Sequence, residues 1–216
     1  MRIGLLGGSF NPIHNAHLRI AGEAQAACLL DRIVFIPAAD PPHKPLAGNV
    51  SFAHRAAMVA MAISDRPDFE MSIIEAERTG KSYSIDTIRA FRERFPEDEL
   101  YFIIGGDSFL DIGTWHRYVE IFRLCHLIVV ERPGCHIANP LDALPDGVRS
   151  LFRHDCATGR LVHESGTSVS FVAGSPLELS STEIRRRAAA EGDISGYVPP
   201  AVAAYISQQR IYHQCP

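Results

Sequence analysis

Short apolar runs recur along the chain with amphipathic stretches between them. Arg2 to Leu6, Arg32 to Ile36, Phe69 to Ile74, Leu100 to Ile104, His126 to Val130 and Ser168 to Val172 are compact and apolar and predict strands. His17 to Leu29, Phe52 to Ile63, Ser84 to Phe95, Trp115 to Leu124 and Ser181 to Ala190 carry helical periodicity. A last helix is expected from Pro200 to about Gln209, because proline suits an opening helical turn. Strands alternating with helices predict an α/β fold, a Rossmann-like doubly wound parallel sheet. The chain reads as a single domain over 1–216, with an irregular segment at 135–168 and a C-terminal helical part at 180–216.

In such a sheet, ligands bind beyond the carboxyl ends of the strands, where helix N-termini also gather. The polar motifs all fall there. Gly7 to His17 follows the first strand, Pro41-Pro42-His43-Lys44 the second, Gly105-Gly106-Asp107-Ser108 the fourth and Arg132-Pro133-Gly134 the fifth. The first of these is the most informative. Gly7 and Gly8 keep no side chain between backbone and ligand, Pro12 fixes the chain direction, and the amides of a following helix suit phosphate oxygens. His14 and His17, three apart on a first helical turn, face the same way. A plain strand-to-helix turn with two surface histidines is the competing reading.

Spacing removes several alternatives. The dinucleotide fingerprint needs Gly-x-Gly-x-x-Gly, whereas Gly7 and Gly8 are adjacent. Gly80-Lys81-Ser82 resembles the end of a phosphate loop, but Glu75 stands where its first glycine belongs. No His-Glu-x-x-His accompanies the two histidines, so no protein-held metal is expected.

Composition changes the picture only by exclusion. A net charge of −4 argues against a broad polyanion-binding surface, and Arg185-Arg186-Arg187 is a short basic run, so no nucleic-acid partner is expected. No apolar run is long enough to span a membrane. The five cysteines, odd in number and scattered, argue against a disulfide framework and fit a reducing compartment, so a cytoplasmic protein is expected.

The second decisive segment is Leu179 to Arg185. Its hydroxyls at Ser180, Ser181 and Thr182 cap a helix, and Arg185 lies one turn inside with a fork of donors suited to phosphate. A plain cap beside a solvated arginine would look the same in isolation.

Taken together, Gly-Gly-Ser-Phe-Asn-Pro-Ile-His-Asn-Ala-His and Ser-Ser-Thr-Glu-Ile-Arg resemble the nucleotidyltransferases with a His-x-Gly-His signature. Among them the chain is similar to the bacterial nicotinate-nucleotide adenylyltransferase family. The closer likeness rests on Pro41-Pro42-His43-Lys44, Lys81-Ser82-Tyr83-Ser84 with Thr87, Ile104 to Ser108, Thr114-Trp115 and Glu131 to Gly134. Ala16 replaces the signature's usual glycine, and Asn11 takes a place often held by aspartate. The resemblance implies transfer of the adenylyl group of ATP to nicotinate mononucleotide, giving deamido-NAD and pyrophosphate by direct in-line attack. It implies Mg²⁺ carried on the ATP phosphates and water.

Residue by residue, the resemblance puts His14, His17, Lys44 and Arg185 on the phosphates as catalytic groups. ATP would meet Gly8, Ser9, Phe10, Gly105, Ser180, Ser181 and Thr182, with Asp107 on its ribose. The nicotinate nucleotide would meet the backbone of Gly8 to Phe10, Lys44, Tyr83, Ser84, Thr87, Trp115, His116 and Arg132, Trp115 stacking on the base. A monomer or homodimer fits. Transferases acting on nicotinamide mononucleotide or phosphopantetheine, and a nucleotide-binding regulator without chemistry, are the alternatives.

Overall fold

The computed structural model describes residues 1–42, 50–131, 137–174 and 179–213. The strands are β1 (Arg2–Gly8), β2 (Arg32–Pro37), β3 (Phe69–Met71), β4 (Glu99–Gly105), β5 (His126–Glu131), β6 (Phe152–Asp155), β7 (Arg160–His163) and β8 (Ser168–Ala173). They form an eight-stranded sheet in the order β3-β2-β1-β4-β5-β8-β7-β6. The helices are α1 (Asn15–Cys28), α2 (Phe52–Ala62), α3 (Ser84–Arg94), α4 (Gly106–Leu110), α5 (Tyr118–Leu124), α6 (Asp146–Arg149), α7 (Ser181–Ala189) and α8 (Pro200–Gln208). None of them is long and apolar enough to cross a membrane.

The chain divides into two compact units. One comprises Met1–Leu6, Ile20–Ile33 and Tyr83–Pro176, and the other Gly7–Arg19, Val34–Ser82 and Leu177–Pro216. In the first, β4 runs parallel to β1 and β5, with Gly105 opposite Val130, and β5 runs parallel to β8. Leu127, Ile128, Val129 and Val130 are all buried, as a strand covered on both faces requires. Gly4 is needed for packing, since a Cβ there would lie 2.5 Å from the Ile33 side chain.

Beyond β8 the sheet becomes antiparallel: β7 pairs with β8 and β6 with β7. The sheet is therefore mixed, and the 135–168 stretch, expected to be irregular, holds α6, β6 and β7 in its described part. Each of these elements is four residues long, and Phe152 and Leu161 are the buried apolar residues of the hairpin. One such residue per strand leaves no periodicity to read, and the strands form because β8 offers an edge. Gly159, at φ +69, and Asp155, which accepts from the Ala157 amide, turn the hairpin.

The second unit buries Phe10, Ile13 and Phe35, and in it α2, with its buried stripe, packs against α8, which buries Val202 and Ile206. Ser51 caps α2 by accepting from the His54 amide, and Ser180 caps α7 by accepting from the Glu183 amide.

Candidate active site

The turn that follows β1 lies wholly in the second unit. Gly8 ends the strand, its carbonyl accepting from the Ala38 amide at 2.8 Å. Phe10 takes a left-handed backbone, φ +44, and folds its ring back over Gly8. A Cβ on Gly8 would stand 3.1 Å from that ring, which gives the glycine a packing reason besides ligand approach. The Phe10 ring itself is buried, tilted against Phe35 at 5.9 Å between centroids and edge-on to His17 at 5.1 Å. Phe10 therefore has only its backbone to offer a nucleotide.

Three carbonyls of the turn are held from within the protein. Arg55 Nη1 donates to Ser9 O at 2.7 Å, Arg185 Nη1 to Asn11 O at 2.8 Å, and Ser181 Oγ to Pro12 O at 3.1 Å. The Tyr212 hydroxyl donates to Asn11 Oδ1 at 2.8 Å, and both residues are buried. Asparagine serves here as a neutral acceptor, where aspartate would place a charge against that hydroxyl. Burial pushes the Tyr212 hydroxyl pKa upward, so it remains a donor.

His14 and His17 come together as expected. Their rings stack with centroids 3.7 Å apart, the His17 amide donates to His14 O, and the His14 amide donates to His17 Nδ1 at 3.2 Å. An accepting Nδ1 puts the proton of a neutral His17 ring on Nε2, which is then a donor. Asn15 opens α1 tied to the loop before α8, its amide on Tyr197 O and its side chain on Gly196 O.

The start of α7 divides its work. Ser181 spends its hydroxyl hydrogen on Pro12 O. Thr182 Oγ1 accepts from Arg185 Nη2 at 3.0 Å and keeps its own hydrogen to donate, as does Ser180, whose Oγ accepts at the cap. Arg185 thus spends two nitrogens of its fork on the protein, and among the described residues no carboxylate neutralises it. Glu183 is instead paired with Arg186 and Arg187, whose hydrogen bonds hold its carboxyl down at about 2.

In the first unit, Gly105 closes β4 and caps α4, in whose first turn Asp107 is exposed. No side chain caps α4, so Asp107 is not there as a cap. Trp115 follows a 3-10 turn at 112–114, half-buried and edge-on to Phe102 at 6.3 Å. Tyr83 and His116 pack ring on ring at 4.4 Å, and Ser84 opens α3 half-exposed. Thr87 is buried, and its hydroxyl donates back to the Tyr83 carbonyl, which helps shape the start of α3. His43, Lys44 and Arg132 lie outside the described residues.

Two parts of the site escaped the sequence. Arg55 heads the buried stripe Arg55, Met58, Val59 and Ala62, where a cation at the first position was the available signal. Tyr212 left no signal, standing more than 200 residues from its partner, at |i−j| = 201.

A family model described as cytidylyltransferase-like matches residues 5–187. A protein of Pelobacter propionicus named "Probable nicotinate-nucleotide adenylyltransferase" is 59% identical over 216 residues, covering all of both chains. Its namesake from Trichlorobacter lovleyi is 56% identical over 213 residues, 98% of this chain and 99% of that one. Among solved structures, Plasmodium falciparum nicotinic acid mononucleotide adenylyltransferase complexed with NaAD matches with a TM-score of 0.76 at 21% identity, over 98% of this chain and 97% of that one, which shows the fold. With its turn, its paired histidines and its capped α7 in the family's order, the chain belongs to the cytidylyltransferase-like family and, within it, to the nicotinate-nucleotide adenylyltransferases.

Proposed function

We propose that this protein transfers the adenylyl group of ATP to nicotinate mononucleotide, forming deamido-NAD and releasing pyrophosphate. The observation that carries the reading is the turn from Ser9 to His14. Its carbonyls at Ser9, Asn11 and Pro12 are bonded from within, which directs the opposite face of the turn, with the stacked histidines at its end, toward anions. Relatives more than half identical over their whole length carry the name of this activity.

A phosphate oxygen of the mononucleotide attacks the α-phosphorus of ATP, a new P–O bond forms, and the bond to the bridging oxygen breaks as pyrophosphate leaves. The protein aligns two anions and spreads the charge that develops. His17 Nε2–H is assigned to the transferring phosphate. The α7 amides, with the Ser180 and Thr182 hydroxyls and Arg185, are assigned to the outer phosphates, and Asp107 to the ATP ribose. Trp115 takes the electron-poor pyridine ring, with Ser84 and Tyr83 beside its carboxylate.

In this reading Mg²⁺ would arrive on the ATP phosphates with its waters; among the described residues no group of three or more His, Cys, Asp or Glu could hold a metal ion. Bound that way, Mg²⁺ neutralises phosphate charge. Pyrophosphate release from ATP, with nicotinate mononucleotide, nicotinamide mononucleotide and phosphopantetheine offered separately, tests the reading. No release with nicotinate mononucleotide, or faster release with either other acceptor, would overturn it.

A further inference from the structure

Arg55 is fully buried at the head of an otherwise apolar helix face. Burial pulls its pKa down, and Tyr212 and Glu75 only partly oppose that. A charge in this place is costly, and an apolar side chain of similar volume would suit the face better. The guanidinium is also poorly satisfied. Nη1 reaches Ser9 O, while Nε and Nη2 have no hydrogen-bond partner among the described residues, and the Phe52 ring lies 5.5 Å from Cζ. A residue kept for stability would be paired throughout. This one makes a single strong bond, and that bond is to the nucleotide turn.

The peptide joining Ser9 to Phe10 is planar, so the Ser9 carbonyl and the Phe10 N–H point in opposite directions. Drawing the Ser9 oxygen toward α2 therefore turns the Phe10 amide to the other side of the turn. Asparagine at position 11 leaves the guanidinium charge without a carboxylate from that turn to cancel it.

We propose that Arg55 is a positioning residue for adenylyl transfer: it holds the Ser9 carbonyl so that the Phe10 amide faces the transferring phosphate, and its buried charge adds fixed positive potential behind that amide. The proposal rests on the reading that this turn carries the reacting phosphates.

The test compares the full-length parent with Arg55→Met, Arg55→Gln and Arg55→Lys, measuring kcat, KM for ATP and thermal midpoint. Arg55→Met is expected to melt at or above the parent temperature, because a poorly paired buried charge is removed. Its kcat should fall about tenfold to a hundredfold, less than for a donor in direct contact, with a smaller change in KM. Arg55→Lys, which keeps the charge and one donor, should recover part of that kcat. Parent kcat in Arg55→Met overturns the proposal. So does a midpoint lowered in both Arg55→Met and Arg55→Gln, which would make the residue structural. An inactive parent overturns the activity together with this role, whereas an active parent beside an undiminished Arg55→Met overturns this role alone.

Discussion

Replacing Arg185 by lysine keeps the charge and removes the fork, which makes it a sensitive probe of how α7 and the nucleotide turn are joined. Nη1 meets Asn11 O at 2.8 Å while Nη2 meets Thr182 Oγ1 at 3.0 Å, and a single ammonium on an unbranched stem cannot hold both acceptors in one plane. A hydrogen bond from a charged donor is worth about 1.5–3 kcal/mol. Arg185 is half-exposed, so water replaces part of the loss and the lower end, about 1.5 kcal/mol, applies. At about 1.4 kcal/mol per tenfold, that is about a tenfold fall in kcat/KM for ATP. Arg185→Ala also removes the charge and should fall by about a further order of magnitude. The assay is steady-state pyrophosphate release with ATP varied at saturating nicotinate mononucleotide, with thermal melts alongside. Undiminished kcat/KM in the lysine variant would refute the argument from the fork, and equal losses in the two variants would refute the separate contribution of charge.

His17→Ala should lower turnover about a hundredfold to a thousandfold with a smaller effect on ATP affinity, because the proposed mechanism assigns its donor to charge that develops at the transferring phosphate; near-normal turnover removes it from the mechanism. Trp115→Ala should weaken nicotinate and nicotinamide mononucleotides alike, while the parent, competed between them, should prefer nicotinate by at least about tenfold, since an amide NH₂ facing donors is left unpaired. Equal use of both would sink the argument from the unpaired NH₂. Burial, followed by the charges of Arg160, Arg92 and Arg2, holds His126 below its ordinary 6.5 against the pull of Glu99. The unfolded chain therefore takes its proton first, so stability is complete above about pH 6.5 and declines as pH falls toward the folded-state pKa. His163 is lowered in the same sense by burial, so His126→Gln should reduce this slope in melting temperature without abolishing it, and an identical slope in the variant would exclude His126.

What could be read from the sequence follows how locally each feature is determined. The interiors of the parallel strands β4 and β5 are buried apolar runs, and burial on both faces writes itself into every position of such a strand. β3 ends at Met71 although the apolar pattern reaches Ile74, because after the Ser72 amide reaches Phe35 O the Ile74 amide turns to Ser72 Oγ and the Ala76 amide to Ile73 O. The hairpin of β6 and β7 owes its existence to an edge that lies outside its own residues, and local pattern could not report it. The same division runs through the site. Ser180, Ser181 and Thr182 look equivalent in sequence, a run of hydroxyls before a helix, but their hydrogens have different destinations. Ser181 gives its own to Pro12 O, while Thr182 accepts from Arg185 and can still donate. A side chain's identity sets how many hydrogen bonds it can make, and only the fold sets which are already spent. For a phosphate site that difference decides function: Ser181 secures the shape of the turn, and Ser180 and Thr182 retain the hydrogens an anion could use.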